Sequence, residues 1–238
     1  MNVYVEVQAL LPNKTPVTKK VKLGVDPVSR PQGLDFRPLY DAGDIAGASA
    51  RRFSCREATW GLDGWARRKT YEVLRDFTWL LFNDVSLEHG GFPGHATHGT
   101  GVAFDARYPG AGGNGNALNT TPSTRRTILT QARDGDLARQ QQIVDWILQV
   151  RGNISQLLND ARVRRVLIGR GVNDRTNARL ASHWNWNAIV DGRYEPLPNG
   201  TATEIVNPAT GLPIGAWAHT KLMRADQHLG HIHVDVNK

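Results

Sequence analysis

The sequence predicts an α+β fold, in which a small central antiparallel sheet is flanked by helices and the elements are joined by long loops. Short runs of alternating apolar residues at both ends of the chain are typical of strands. Between them, two longer stretches have apolar residues at helical spacing. The 238-residue chain is 40% hydrophobic and contains seven tryptophans, so we expect it to bury a core rather than remain disordered.

Residues 1–50 are predicted to form an irregular N-terminal arm, and residues 51–238 the main folded domain. The arm is rich in proline and glycine and has turn signals at "DPVSRPQG" and "DAGDIAGAS". Near its start, Val3, Val5 and Val7 alternate with other residues, which predicts one strand.

Two amphipathic helices are predicted in the main domain. The first runs from Ala66 to Asn83, and the second from Leu137 to Asn159 with Gly152 as a weak point. The apolar positions that define them are Tyr71, Leu74, Phe77, Thr78 and Leu81 in the first, and Ile143, Ile147, Val150, Ile154, Leu157 and Leu158 in the second. Between the helices, "GAGGNGNALNTTPSTRR" has the composition of a surface loop.

Two strands are predicted in the C-terminal half. The stretch "VRRVLIG", residues 163–169, is enriched in β-branched residues as a buried strand is, whereas residues 173–220 have a loop-like composition. In the final "HIHVDV", apolar and polar residues alternate as in a half-buried strand. His231 and His233 should therefore project from the same face of the strand, and Asp235 should share that face. Asp235 would be either a hydrogen-bond acceptor for a ligand imidazole or a solvent-facing residue.

The chain has a formal charge of +7, which indicates attraction to a polyanion. Nucleic acid, an anionic membrane surface and a bacterial cell wall all have this property. The arginines are spread along the chain, and no zinc-finger or RNA-binding signature accompanies them, so nucleic acid is not an expected partner. A mostly solvated basic surface is the simplest interpretation of the charge.

Cys55 is the only cysteine, which excludes a disulfide within the chain and a thiolate metal cluster. Any metal must therefore be held by nitrogen and oxygen. The N-terminus lacks the basic start and long apolar run of a signal peptide, and no stretch is long and apolar enough for a transmembrane helix. We expect a chain that does not insert into membranes and that either is made in the cytoplasm or has had its signal peptide removed.

Five of the eight histidines lie in two clusters. The glycine-rich "GHATHGTGVAFD" has the pattern HxxHxxxxxxD, and "HLGHIHV" near the C-terminus has HxxHxH. The clustered residues are His95, His98 and Asp105 in the first, and His228, His231 and His233 in the second. Two histidines and one carboxylate suffice for a catalytic zinc site with an open position for water, whereas calcium would require more carboxylates. Each cluster alone fits a loop-lining or edge-strand surface position, but together they predict a metal site.

The pairing of "THGTGVAFD" with a distant "HIHVDV" resembles the metallopeptidase superfamily of lysostaphin, D-Ala-D-Ala peptidases and Hedgehog amino-terminal domains. More narrowly, "HGGFPGHATHGTG" and "HLGHIHV" are similar to penicillin-insensitive murein endopeptidases. The resemblance implies one Zn²⁺ per chain, located on the central sheet and held by His98, Asp105 and His233. It makes His231 a catalytic histidine that is not a ligand.

The resemblance also assigns roles around the metal. His95 and His228 match the additional histidines of the murein endopeptidase pattern, so they would line the site and contact substrate. Zinc would polarise the scissile carbonyl and activate water, and protonated His231 would stabilise the oxyanion that forms.

The function that the resemblance implies is hydrolysis of peptide cross-links in bacterial peptidoglycan, with residues 51–238 as the catalytic domain. A basic surface would favour adsorption to that anionic polymer. A lytic enzyme without a signal peptide would act in the periplasm or cell wall after release as a phage endolysin or injection as a secreted antibacterial effector. An immunity protein or a component of a secretion machine would then be a partner.

Three alternatives remain open at this point. Gly99 and Ala103 stand where murein endopeptidases usually have Gln and Asp, and the resulting HxxGxAxD form is equally similar to D-Ala-D-Ala carboxypeptidases. A non-catalytic binding module could keep the zinc scaffold, as Hedgehog domains suggest, although the presence of His231 argues against it. A nucleic-acid-binding protein would use the basic charge, but it would lack any recognition motif.

Overall fold

A computed structural model of the chain describes residues 3–10, 16–23, 39–51, 64–86, 98–109, 122–169, 186–194, 203–225, 228 and 231–238. Within these ranges the protein is mixed α+β, with four α-helices and several small sheets. No helix in the described part of the chain is both long and apolar enough to cross a membrane. The chain forms two compact units, the first comprising residues 1–78, 83–104 and 238, and the second residues 79–82 and 105–237.

The first unit begins with an antiparallel hairpin. Strand β1 (Val3–Leu10) pairs with β2 (Pro16–Leu23) along its whole length. The strand predicted near the start is thus confirmed, but the arm contains a second strand that the pattern did not predict. Lys19 interrupts the alternation of apolar residues in β2, which hides the period of two.

The next elements of the first unit are β3 (Tyr40–Asp41), α1 (Ala48–Arg51), β4 (Trp65–Ala66) and α2 (Arg68–Asp76), and β3 pairs antiparallel with β4. The prediction that this helix extends to Asn83 was wrong, because α2 ends at Asp76. The Arg51 guanidinium donates hydrogen bonds to the carbonyls of Leu74 and Phe77, and these satisfy carbonyl groups at the end of the helix. The chain then becomes extended and forms β5 (Phe82–Asn83).

The second unit contains the longest helix, α4 (Leu137–Asn159), with the bounds that the sequence predicts. Asp136 precedes it, and its side chain accepts a hydrogen bond from the Arg139 backbone N–H at 3.1 Å, which caps the first turn. All six predicted apolar positions are buried: Ile143, Ile147, Val150, Ile154, Leu157 and Leu158. Gly152 does not interrupt the helix, because the packing of this apolar face outweighs its low propensity.

A further helix, α3 (Pro122–Arg133), occupies the end of the stretch predicted to be a surface loop, so that prediction was wrong from Pro122 onward. Proline is favoured in the first helical turn, where its missing N–H costs no hydrogen bond. Ile128, Leu129 and Ala132 are buried and anchor the helix. Because these residues follow the glycine-rich stretch, that stretch's composition did not reveal them.

A five-stranded sheet combines β5 with four further strands: β6 (Ala103–Arg107), β7 (Val163–Gly169), β10 (Leu222–Ala225) and β11 (His231–Val236). The strand order is β10-β7-β11-β6-β5. Strand β11 runs antiparallel to β7, whereas β10 runs parallel to it, so the sheet is mixed rather than purely antiparallel as predicted. Helix α4 contacts β7 and covers part of the sheet.

Strand β11 is more buried than its sequence pattern predicts. Its apolar residues are buried as expected, but His233 and Asp235 are only 2% and 4% exposed. The half-buried strand was therefore a wrong prediction beyond His231. The two buried polar side chains hydrogen-bond to each other, and His233 also bonds to Asp105, which makes their burial tolerable.

Part of the stretch predicted to be loop-like contains short regular elements. A π-helical turn spans Asn187–Asp191, and β8 (Arg193–Tyr194) pairs with β9 (Thr203–Glu204). Gly192 joins the turn to β8 with φ of +67°, and a Cβ there would lie 2.6 Å from the Gly215 carbonyl oxygen. A side chain at this position would therefore clash with backbone as well as strain the turn.

Candidate metal centre

The Asp105 carboxylate lies at the middle of a cluster of imidazoles. Asp105 is in β6, is 4% exposed, and faces the adjacent strand β11. Its Oδ1 is 2.8 Å from Nδ1 of His233, and its Oδ2 is 3.5 Å from Nε2 of His231. The period of two in β11 accounts for this arrangement, because it brings both histidines to the side on which Asp105 lies.

His233 lies between two carboxylates. Its Nε2 is 3.3 Å from Oδ1 of Asp235, on the side of the ring opposite Asp105. Burial alone would lower the pKa of His233, but hydrogen bonds to Asp105 and Asp235 outweigh it and raise the pKa to about 9. The imidazole is therefore protonated at neutral pH and donates to both carboxylates, and a metal ion bound at one nitrogen would replace the proton there.

Asp235 is fixed by arginines of strand β7. The Arg165 Nε donates to Asp235 Oδ2, and Arg164 Nη2 lies 3.5 Å from the same oxygen. Burial opposes ionisation of Asp235, but its hydrogen bonds from His233 and Arg165 lower its pKa to about 2. Asp235 is thus an ionised acceptor for the His233 ring and not the solvent-facing residue that the alternation also allowed.

His228 packs against both histidines of β11. Its ring centroid is 4.9 Å from that of His231 and 5.5 Å from that of His233. The buried Tyr108 hydroxyl donates to the His228 carbonyl at 3.2 Å and accepts the Gly169 N–H at 3.0 Å. Tyr108 therefore ties His228 to the end of β7.

Two residues of this centre are not evident from the sequence. Tyr108 hydrogen-bonds to His228, which is 120 residues away along the chain, so no local sequence pattern indicates that Tyr108 belongs to the centre. Arg165, together with Arg164, interrupts the apolar run of β7, and a charged residue inside such a run is a signal that could have indicated a buried acidic partner.

His98 is 1% exposed and opens the turn that leads into β6. Its carbonyl accepts a hydrogen bond from the Gly101 N–H at 3.3 Å, and the Arg67 N–H donates to the Gly101 carbonyl at 2.8 Å. Gly101 has φ of +68°, and a Cβ there would lie 3.0 Å from the Arg67 backbone nitrogen. Glycine is therefore favoured at position 101 of the first cluster, both by the positive φ and by the close approach of the Arg67 backbone.

Two sets of side chains could hold a metal ion. Each residue offers one ligand atom, and within each set these atoms lie within 4.8 Å of one another. The sets are His98, Asp105 and His233, all buried, and Asp105, His228 and His231, which is more exposed. Imidazole nitrogen with one carboxylate oxygen is a donor set that suits zinc and other transition metals. His95, the remaining predicted site residue, lies outside the described residues.

Comparison with known proteins adds no relative to this picture. No protein-family model matches the chain, and no curated protein or solved structure matches it significantly. The likeness to zinc metallopeptidases therefore rests on the two histidine motifs, and the case for a function rests on the chemistry of the centre itself.

Proposed function

We propose that the protein is a zinc-dependent peptidase that hydrolyses peptide cross-links of bacterial peptidoglycan. The observation that supports it best is that one buried carboxylate, Asp105, faces two imidazoles in different surroundings. The His233 side chain is 2% exposed, whereas that of His231 is 29% exposed. A metal ligand suits the first environment, and a group that exchanges protons with substrate suits the second.

In this proposal His98, Asp105 and His233 hold one Zn²⁺. Two neutral imidazoles and one carboxylate leave a net charge of about +1 and an open coordination position. When bound, zinc would supply a Lewis acid for the scissile carbonyl and lower the pKa of water towards neutrality. Asp235 would keep the His233 ring oriented through its hydrogen bond to Nε2, as outer carboxylates do for ligand imidazoles.

His231 is the proposed catalytic residue. Its Nε2 is 3.5 Å from Asp105 Oδ2, a distance at which a protonated imidazole would form an ion pair with the carboxylate. Its side chain is 29% exposed and can therefore reach a bound peptide, and histidine is the residue type best suited to proton exchange near neutral pH. His231 would stabilise the developing negative charge on the substrate carbonyl and give a proton to the departing amine.

The proposed substrate is the peptide portion of peptidoglycan, and His95 and His228 would contact it beside the metal. The charge of +7 favours adsorption to this anionic polymer. The enzyme would act in the periplasm or cell wall, as a phage endolysin or an antibacterial effector, and an immunity protein would be its partner in the second case. Cleavage of a terminal D-Ala-D-Ala bond instead of a cross-link would make it a carboxypeptidase.

Two substitutions test the division between ligand and catalytic histidine. His231→Ala should retain one zinc per chain and lose at least about 100-fold in wall-digesting activity, the usual contribution of a positioned acid or base. His98→Ala should lose both zinc and activity. His219→Ala is the matched control, because His219 lies outside both ligand sets and its Nδ1 accepts a hydrogen bond from the nearby Lys221 backbone N–H. Full activity in either His231→Ala or His98→Ala would overturn the proposal.

A further inference from the structure

The two oxygens of the Asp105 carboxylate have different partners. Oδ1 is directed to Nδ1 of His233, and Oδ2 to Nε2 of His231. In two-metal sites the ions lie about 3.5–4 Å apart, a separation that the two oxygens of one carboxylate can span. If Oδ1 binds the zinc ion of the proposed function, Oδ2 still points to the more exposed side of the cluster, where His231 lies.

Ligand atoms for a second ion are already gathered on that side. Asp105, His228 and His231 each offer one, and the three atoms lie within 4.8 Å of one another. The rings of His228 and His231 have centroids 4.9 Å apart. The Tyr108 hydroxyl donates to the His228 carbonyl, which holds the backbone of this one residue beside the cluster.

We propose that Asp105 Oδ2, His228 and His231 form a second, weaker divalent-metal site that inhibits the enzyme when zinc is in excess. The inference rests on the proposed function, since it assumes that the first ion and the catalytic His231 have the roles given above. It concerns the regulation of the same centre by its own metal.

Charge explains why the second site should be the weaker one. The Asp105 carboxylate has one negative charge, and an ion at Oδ1 would already compensate it. A second cation would then meet the repulsion of the first at short distance, with partial screening by solvent on the exposed side. Asp235 accepts hydrogen bonds from His233 and Arg165 and lies on the side of the His233 ring opposite Asp105. It therefore offers the second ion no ligand.

Inhibition follows from the identity of the ligands. A histidine whose Nε2 coordinates a metal cannot exchange a proton at that nitrogen. Occupation of the second site would therefore remove His231 from proton transfer while leaving the first ion in place. His228 would at the same time become unable to contact substrate.

The test is a zinc titration of the full-length protein after removal of metal, with stoichiometry measured by native mass spectrometry and affinity by competition with a chromophoric chelator. Wild-type protein should bind two ions per chain, the second at least about tenfold more weakly than the first. His228→Ala and His228→Gln should bind one ion with the affinity of the first site. His219→Ala, the matched control, should bind two.

The outcomes separate this inference from the proposed function. One ion in wild-type protein, or two ions in both His228 variants, would overturn the second site and leave the zinc peptidase proposal standing. No bound ion in wild-type protein would overturn both. Activity gives a second readout: excess zinc should inhibit wild-type protein and His219→Ala, and each His228 variant should lose that inhibition relative to its own activity at one equivalent of zinc.

Discussion

His233 and Asp105 are 128 residues apart in the chain, yet Nδ1 of the histidine lies 2.8 Å from Oδ1 of the carboxylate. Both side chains are almost entirely buried. Burial of two ionisable groups is tolerated because each compensates the charge of the other. The same pair is what a metal ion would use, since binding replaces the shared proton by a cation.

Asp105→Asn should weaken zinc binding by more than about 100-fold, a larger loss than substitution of an outer-shell residue causes. The amide removes the only negative charge among the proposed ligands while preserving the size of the side chain. Chelator competition measures the affinity. Asp145→Asn, on the exposed side of α4, is the control and should bind zinc as wild-type protein does. Equal affinities in the two variants would exclude Asp105 as a ligand.

Asp235→Asn should reduce zinc affinity by about 10–100-fold, because the neutral amide no longer increases the basicity of the His233 ring. The same chelator competition applies. Asp191→Asn provides the control, since the Asp191 side chain is 40% exposed and its Oδ2 lies 3.6 Å from Nη2 of the exposed Arg224. If both variants bind zinc as tightly as wild-type protein does, Asp235 has no positioning role.

Asp160→Asn should make the protein less stable at neutral pH and less sensitive to acid. Asp160 follows the last residue of α4, and its carboxylate accepts hydrogen bonds from the backbone and guanidinium of Arg162. The side-chain hydrogen bond from Arg162 is the main cause that holds the pKa of Asp160 below its usual value of 3.8. The carboxylate therefore stabilises the fold above pH 3.8 and loses this effect as the pH falls through the lowered pKa.

Urea denaturation at several pH values checks this prediction. At pH 7 the free energy of unfolding of Asp160→Asn should be about 1–2 kcal/mol lower than that of wild-type protein, and the difference should shrink in acid. Asp134→Asn removes only a surface pair with Arg133 and should change stability by less than about 0.5 kcal/mol. A difference between Asp160→Asn and wild-type protein that grows in acid would contradict the sign.

Ile154→Ala should lower the free energy of unfolding by about 2–5 kcal/mol, because Ile154 is fully buried on the inner face of α4 and its removal leaves a cavity. Leu148 lies on the same helix, but its side chain is 45% exposed. Leu148→Ala should therefore lower the free energy of unfolding much less than Ile154→Ala does. Chemical denaturation of the two variants tests which face of α4 is buried in the core. Similar losses would show that the buried face is assigned wrongly.

The sequence predicted those elements whose pattern is continuous and local. Helix α4 has a full apolar face and strand β7 a β-branched run, and both appear with the predicted bounds. Strand β2 was missed because Lys19 masks its alternation, and α3 because it follows a glycine-rich stretch. The early end of α2 depends on a guanidinium from α1, a tertiary contact that periodicity cannot reveal.

The candidate centre divides in the same way. Spacing within the two clusters suggested the histidines and Asp105, because metal sites favour close pairs on one strand or turn. The contacts of Tyr108 with His228 and of Arg165 with Asp235 join residues far apart in sequence, so only the folded chain reveals them. The pairing of each Asp105 oxygen with one histidine likewise depends on the packing of β6 beside β11, which the sequence does not show.

The most direct test of the central claim is mass spectrometry of the fragments released from purified, cross-linked peptidoglycan of defined structure. Wild-type protein should release peptides that are cut at one type of amide bond, a chelator should abolish the release, and added zinc should restore it. The mass of the products also distinguishes a cut cross-link from loss of a terminal D-Ala. Intact peptidoglycan after incubation with the zinc-loaded protein, or equal cleavage in the presence of a chelator, would contradict the account.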